Sequence, residues 1–390
     1  AVIWPHLILL HLYRVMYLGN NLDISMVQML LTMRLLAFAW NCHDGDRLNK
    51  KKALGSPKFE VNAVRKLPTL LEYHGFTFNY TTLLAGPILE YNHYISVADN
   101  SKFSDKRLKG KNPPGFFPAL WCLVQAVGML TLQMWWVKTI PFMWVASDEF
   151  MKLSLWYKYF YAWISLFSVR LYYYFVWKLA EALNIADGLG FSGFDQDGKL
   201  EFNAASNIDI YKVETCQSFR DLATYWNIHV GRTLKVYCYM RLPGKSGRPS
   251  TFALYATNVL SAIWHGLYPG YLFAFFFAAV STDISRRFRK RFRPYFVRCP
   301  DPSDPRKEEP IQPWKTFYDI FSFLSLQITL PINFIPFNLV KWEPIVYYFN
   351  DGLLWTGHIG YVVIFGLLFI LDIVLPVKRR TVAKKNKKNQ

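Results

Sequence analysis

Long apolar stretches, several near the roughly 20 residues a helix needs to cross a bilayer core, alternate with polar connectors along this 390-residue chain. The pattern predicts membrane spans at 1–18 and 24–40, both short, and then at 116–146, 153–183, 252–284, 316–340 and 354–377. Pro331 and Pro336 are expected to kink the 316–340 span, because proline removes a backbone donor and crowds the preceding turn. The 252–284 run is interrupted at Gly266-Leu267-Tyr268-Pro269-Gly270. Three connectors stand out. Residues 41–75 are polar and carry Asp44-Gly45-Asp46 and Lys50-Lys51-Lys52; residues 98–115 end in Asn112-Pro113-Pro114-Gly115; residues 185–250 form the longest stretch outside the spans. Within that last stretch, 213–241 sets Phe219, Leu222, Tyr225, Trp226 and Val230 against Arg220, Arg232 and Lys235. This predicts an amphipathic helix, lying at a membrane interface or packed on the protein's own surface. Asp195-Gln196-Asp197-Gly198 begins like a calcium loop but lacks the remaining ligands and the closing Glu, so a polar turn is expected there.

Composition supports a membrane reading and explains why hydropathy alone understates it. Hydrophobic residues make up 52% of the chain and aromatics 18%, a bias that suits the interface between acyl chains and headgroups. Mean hydropathy is nevertheless only +0.10, because 45 basic and 27 acidic residues crowd the connectors and the tail and give a net charge of +18. Basic loops beside apolar spans fit the positive-inside rule and attraction to anionic lipids better than a nucleic-acid partner. They also suit a polyanionic substrate such as acyl-CoA. The Arg286–Arg293 block and the tail 378–390 should both be cytosolic, and the two spans between them agree in parity. Lys387 and Lys388, three and four positions from the carboxyl end, resemble a dilysine retrieval signal. The expectation is therefore a multi-pass protein of the endoplasmic reticulum membrane with a cytosolic C-terminus. The sequon Asn79-Tyr80-Thr81 matters only if luminal. Five cysteines, without metal-ligand spacing, favour neither a disulfide framework nor a zinc site. The chain begins without Met, inside apolar sequence and without the order of a signal peptide, so a further N-terminal portion is expected to precede it.

The chemistry centres on one histidine. His265 lies in a membrane-grade apolar run, where an ionisable side chain is costly and marks a functional site by default. Low dielectric favours the neutral imidazole, which can accept a proton from an alcohol. The plainer reading is a structural histidine bonded to a neighbouring helix. Trp264 and Gly266 beside it favour function, since an aromatic wall excludes water and glycine allows close approach. Asn227 could donate to an oxyanion or hold the imidazole tautomer, although a surface or capping asparagine is the simpler account. A third cluster, Gly86-Pro87-Ile88-Leu89-Glu90-Tyr91-Asn92-His93-Tyr94, gathers hydrogen-bonding groups after a helix break and reads equally as an interfacial turn. The chain contains no serine-hydrolase elbow, Walker loop, dinucleotide fingerprint or His-Glu-x-x-His zinc motif.

Four blocks, in order, resemble the membrane-bound O-acyltransferase family, and within it the lysophospholipid acyltransferases. They are the run from Asp23 through Ala37-Phe38-Ala39-Trp40-Asn41-Cys42-His43-Asp44-Gly45, then Leu84-Ala85-Gly86-Pro87-Ile88-Leu89-Glu90-Tyr91, then Trp226-Asn227-Ile228-His229-Val230, and Ser261-Ala262-Ile263-Trp264-His265-Gly266-Leu267-Tyr268-Pro269-Gly270-Tyr271. The resemblance covers nearly the whole chain, read as one catalytic domain over 1–390. It implies an all-α, polytopic bundle of tilted transmembrane helices around a reaction chamber, with His265 and Asn227 as active-site residues. The implied reaction transfers a fatty acyl group from acyl-CoA, as co-substrate, to the free hydroxyl of a lysophospholipid, with no metal. Glu90, Tyr91, Trp226 and Trp264 are the expected substrate contacts, and Arg232 and Lys235 the expected partners of CoA phosphates. Ile88 and Leu89 stand where relatives often carry aromatic or acidic residues, which blurs headgroup preference. The rivals are another acceptor within the family (diacylglycerol, a sterol or a protein), a transporter using His265 as a proton relay, and a non-catalytic scaffold. The transporter predicts inverted repeats, and none is visible in the sequence.

Overall fold

The computed structural model describes residues 2–17, 24–244, 247, 249–298, 308–350 and 353–375. Among them the architecture is helical, with strand confined to two short antiparallel pairs, Gly193–Phe194 with Leu200–Glu201 and Val297–Arg298 with Glu309–Pro310. The first pair closes the turn at Asp195, whose Oδ1 accepts from the backbone N–H of Asp197 and Lys199 at 2.9 and 2.7 Å. The segment is a polar turn. The 378–390 tail, with Lys387 and Lys388, lies outside the described residues.

The longest helix, Leu155–Ala186, runs 32 residues without glycine or proline, about 48 Å at ~1.5 Å per residue. It packs along Phe116–Thr139 and against Trp314–Leu339. Among the described residues, two helical segments are long and apolar enough to cross a membrane, Phe116–Ala146 and Trp314–Leu339. The first turns almost none of its residues inward: within Phe116–Thr139 only Cys122 and Ala126 are buried, while Trp121, Val124, Val127 and Trp135 are exposed. A contiguous apolar surface of this kind needs lipid or protein to cover it. The other expected spans are also helical but carry more polar groups, such as Lys158, Arg170, Lys178 and Glu181 on Leu155–Ala186.

Three predicted boundaries shift. The second helix, Ser25–Asn49, continues through Asp44-Gly45-Asp46 rather than ending at 40. Asp44 is fully buried there in a bidentate pair with Arg241, whose guanidinium also stacks over Phe59 and Trp40. The 252–284 run becomes two helices, Thr251–His265 and Pro269–Phe292, and the second includes the basic block. The expected single amphipathic helix over 213–241 is broken into Ile210–Glu214, Phe219–Tyr225 and Ile228–Tyr237. The last break falls at Asn227, whose φ of 45° and ψ of 56° are left-handed. Asparagine is one of the few residues other than glycine that visit this region readily, and alternation of apolar and basic residues carries no sign of it.

Apolar contact joins the motif blocks. Leu7, Leu30, Met33, Ile88, Val230 and Trp264 form one buried cluster, so both N-terminal helices, the Gly86-Pro87 block and the two later blocks share a core. A second cluster, including Leu166, Ile335, Ile345 and Tyr361, ties the C-terminal helices to Leu155–Ala186. Between them lies a cavity.

Candidate active site

The cavity has a volume of about 940 Å³, and both His265 and Asn227 line it. This is at the upper end of small-molecule sites. Its walls come from Leu155–Ala186, Phe219–Tyr225, Ile228–Tyr237, Thr251–His265, Pro269–Phe292 and Trp314–Leu339. The two polar residues, far apart in sequence, therefore face one space.

His265 is the last residue of its helix. The helix stops because Gly266 takes φ of 143°, and a Cβ there would lie 3.1 Å from the Tyr271 ring. The turn allows Pro269 to start the next helix immediately, at a position where its missing N–H costs nothing. The imidazole consequently sits in an aromatic cage. Phe275 stacks on it at 5.0 Å, Phe337 meets it edge-on at 5.2 Å, and Trp264 and Tyr271 lie at 4.6 and 5.7 Å, all between ring centroids. Among the described residues no hydrogen bond engages its ring nitrogens. Behind the cage, Trp264 donates from its indole N–H to the Met29 carbonyl at 2.8 Å, and its own carbonyl accepts from Nε2 of buried His11 at 3.0 Å.

Asn227 precedes Ile228–Tyr237 and is held from one side. Asn207 Nδ2 donates to Asn227 Oδ1 at 3.1 Å, Asn207 Oδ1 accepts from the His229 N–H at 3.0 Å, and the Asn207 carbonyl accepts from the Ile228 N–H at 2.9 Å. His229 is buried and donates from Nδ1 to the Ile88 carbonyl at 3.0 Å, tying this block to the Gly86-Pro87 block. Burial, with the charge of Arg232 second, pushes the His229 pKa down to about 3.

The polarity of the cavity changes along one helix. On Pro269–Phe292 the lining residues Phe275, Ala278, Thr282, Arg286 and Arg289 recur every three or four positions, which is one helical face. Phe275 against the imidazole and Arg289 at the other end are separated by 14 residues, about 21 Å of helix rise. Arg220, Lys235, Lys290 and Arg293 line the cavity as well. Arg293 pairs with Glu308 at 2.6 Å, whereas Arg286, Arg289 and Lys290 have no acidic partner among the described residues. Lys235 is held below its ordinary pKa by partial burial and then by the charges of Lys58 and Arg220. One end is thus aromatic and neutral, the other strongly cationic.

The remaining expected contacts divide. Trp226 lines the cavity, packed edge-to-face on Trp177 at 4.9 Å, and Lys235 lines it too. Arg232 is exposed and outside the lining, and Trp264 packs on the imidazole as part of the cage without lining the cavity. Glu90 and Tyr91 lie elsewhere. Asn41 Nδ2 donates to Glu90 at 2.8 Å and the Tyr237 hydroxyl donates at 2.9 Å. Burial raises the Glu90 pKa, and these two hydrogen bonds oppose the rise. The Tyr91 ring is buried between Phe38 and Phe76. Both residues join helices rather than face the cavity.

Residues 10–330 match the family model of the membrane-bound O-acyltransferases. The chain belongs to this family. Membrane-bound glycerophospholipid O-acyltransferase 2 of Gallus gallus is 30% identical over 370 residues, covering 92% of this chain and 65% of its own length. The protein of the same name in Mus musculus is 31% identical, covering 93% and 67%. A lysophospholipid acyltransferase of Schizosaccharomyces pombe is 29% identical, covering 90% and 67%. The chain thus spans about two thirds of the length of these three relatives. In this membrane-bound O-acyltransferase, reading the sequence missed Asn207, His11, Phe275 and Phe337. Phe275 and Phe337 had no signal beyond apolarity. His11 was a polar residue within an apolar run and Asn207 one of several polar residues in the 185–250 connector, both visible as such but without a partner to assign.

Proposed function

We propose that this chain is an acyl-CoA-dependent lysophospholipid O-acyltransferase of the endoplasmic reticulum membrane, a single catalytic domain crossing the bilayer several times with its basic block and C-terminus cytosolic. One observation carries the reading. A single cavity joins an uncommitted imidazole in an aromatic cage to a cationic end about 21 Å of helix away. Acyl-CoA has the matching polarity, with phosphates at one end, a long pantetheine arm and a neutral thioester at the other. The names of the relatives supply the acceptor class, and the apolar surface of Phe116–Thr139 fits a protein that meets its lipid substrate in the bilayer.

The acceptor hydroxyl would give its proton to His265 as its oxygen attacks the thioester carbonyl carbon. Asn227 would stabilise the charge that develops on the carbonyl oxygen. The C–S bond then breaks, the ester forms, and the thiolate of CoA leaves and takes the proton back from His265. No acyl-enzyme is needed. Arg286, Arg289, Lys290 and Lys235 would hold the phosphates, and Trp226 with the cage would exclude water.

The test is a reconstituted assay of acyl-CoA with a panel of lysophospholipids, comparing wild type, His265→Ala and Asn227→Ala. Acyl transfer to a lysophospholipid that is lost in both variants is the expected result. Transfer only to a neutral lipid alcohol would move the protein to another acceptor class, and full turnover by His265→Ala would remove the mechanism.

A further inference from the structure

Asn207 is buried and lies 20 positions before Asn227, outside every block that carries the family resemblance. Its three bonds decide which way the Asn227 amide faces. A backbone N–H can only donate, so the 3.0 Å contact from the His229 N–H requires Asn207 to present its Oδ1 there. Its Nδ2 must then point to Asn227, and since Nδ2 is itself a donor, Asn227 must answer with Oδ1, at 3.1 Å. The consequence is one of direction: Oδ1 of Asn227 is turned toward Asn207, and Nδ2, on the other side of the amide, is what Asn227 can offer to the cavity. The neighbouring Ser206 hydroxyl donates to Glu181, whose other oxygen accepts from Lys178 at 2.7 Å, so the segment carrying Asn207 is anchored to the long helix.

We infer that Asn207 is a positioning residue that fixes Asn227 as a hydrogen-bond donor to the reacting carbonyl oxygen, by holding Oδ1 of Asn227 away from the substrate. The inference rests on the acyl-transfer reading above and narrows it. Asn227 stabilises negative charge on the thioester oxygen and does not accept a hydrogen bond from the imidazole or the acceptor hydroxyl. Left-handed backbone at Asn227 brings its side chain within reach of Asn207, while the following helix N-terminus shares the same asparagine through the Ile228 and His229 N–H groups. One residue thus orders both the helix start and the amide.

Two isosteric variants test this in the reconstituted full chain. Asn207→Asp keeps the acceptor for the His229 N–H but replaces the donor to Asn227 with an oxygen, so the Asn227 amide is driven to turn over. Asn227→Asp keeps the acceptor for Asn207 but presents an oxygen to the cavity. Each should lower kcat by about 10²–10³, the usual effect of losing an oxyanion donor, with KM for acyl-CoA and for the lysophospholipid unchanged. Adding Asn207→Asp to Asn227→Ala should cost nothing further, because a residue acting through another has no effect once that other is gone. A merely structural role predicts instead a lower thermal midpoint and an additive loss in the double variant. Wild-type kcat in Asn207→Asp, with Asn227→Ala inactive, would overturn the positioning role alone. Full turnover in Asn227→Ala would overturn it together with the acyl-transfer role of Asn227. Should Asn207→Asp fail to fold, Asn227→Asp decides: retained turnover would overturn the donor assignment.

Discussion

His265 stacks on Phe275 with ring centroids 5.0 Å apart and planes inclined by 26°. The contact fixes the plane of the imidazole through dispersion and shape rather than through a hydrogen bond. Phe337, edge-on at 5.2 Å, closes a second direction. Many catalytic histidines are oriented by a carboxylate on the far nitrogen. Here no carboxylate among the described residues bonds to the ring. Packing sets the orientation, and the nitrogens stay available to substrate.

The first prediction concerns the proposed base, His265. His265→Ala should reduce kcat by about 10²–10⁴, the usual share of a positioned general base. Acyl-CoA binding, followed by direct titration, should survive, because the cationic end of the cavity is untouched. Loss of binding together with turnover would instead make His265 a structural residue.

The second concerns the cationic end. Arg289→Gln and Lys290→Gln remove charges that line the cavity without an acidic partner. Exposed ion pairs contribute about 1 kcal/mol or less, so KM for acyl-CoA should rise about two- to fivefold per substitution, with kcat at saturation retained. The effect should shrink as salt is raised, since exposed charges are screened. An unchanged KM at low salt would place the phosphates elsewhere.

The third separates Glu90 from substrate. Asn41→Ala removes one of the two side chains that donate to the partly buried Glu90 carboxylate. Leaving a buried polar group short of a partner costs about 1–3 kcal/mol, so the thermal midpoint in detergent should fall while KM for both substrates holds. A raised KM for the lysophospholipid at unchanged stability would return Glu90 to the binding site.

The fourth concerns His229, whose pKa burial pushes down to about 3 from an ordinary 6.5. The unfolded chain binds this proton more readily than the folded one. Its contribution to stability is therefore intact above pH 6.5 and is lost as pH falls from about 6.5 toward 3, at up to about 1.4 kcal/mol per pH unit. Unfolding midpoints measured between pH 7 and pH 5 should fall in the wild type and fall less steeply in His229→Gln. Parallel slopes would show that His229 does not contribute to acid sensitivity.

Two neighbouring basic residues show where sequence reasoning reached its limit. Arg232 and Lys235 lie on one ten-residue helix, and both looked fit for an anionic substrate. Three positions along a helix leave the two residues only about 60° apart around its axis. Lys235 sits at the rim of the face that lines the cavity with Val230, Gly231 and Leu234, and Arg232, one step further round, falls outside it and is exposed. An amphipathic pattern shows that a helix has two faces, but not which edge borders a cavity. Glu90 and Tyr91 illustrate the same limit: a Gly-Pro break followed by polar groups looks alike whether it binds a ligand or ties helices together.

By itself, the sequence determined the helical character, the position of the apolar runs, the strong positive charge and the oddity of His265. Each is a property of consecutive residues: hydrophobic length, charge density, or an ionisable group in apolar surroundings. The order of the four blocks pointed to the family, which the match over residues 10–330 shows. Only the tertiary structure decided which of these features share a space. His265 and Asn227 line one cavity, His265 where Gly266 ends one helix so that Pro269 can begin another, and Asn227 where its left-handed backbone starts a third. The amide direction of Asn227 depends on Asn207, and the imidazole plane on Phe275 and Phe337. These are contacts between residues distant along the chain, set by packing and by which groups can only donate, and no local pattern encodes them.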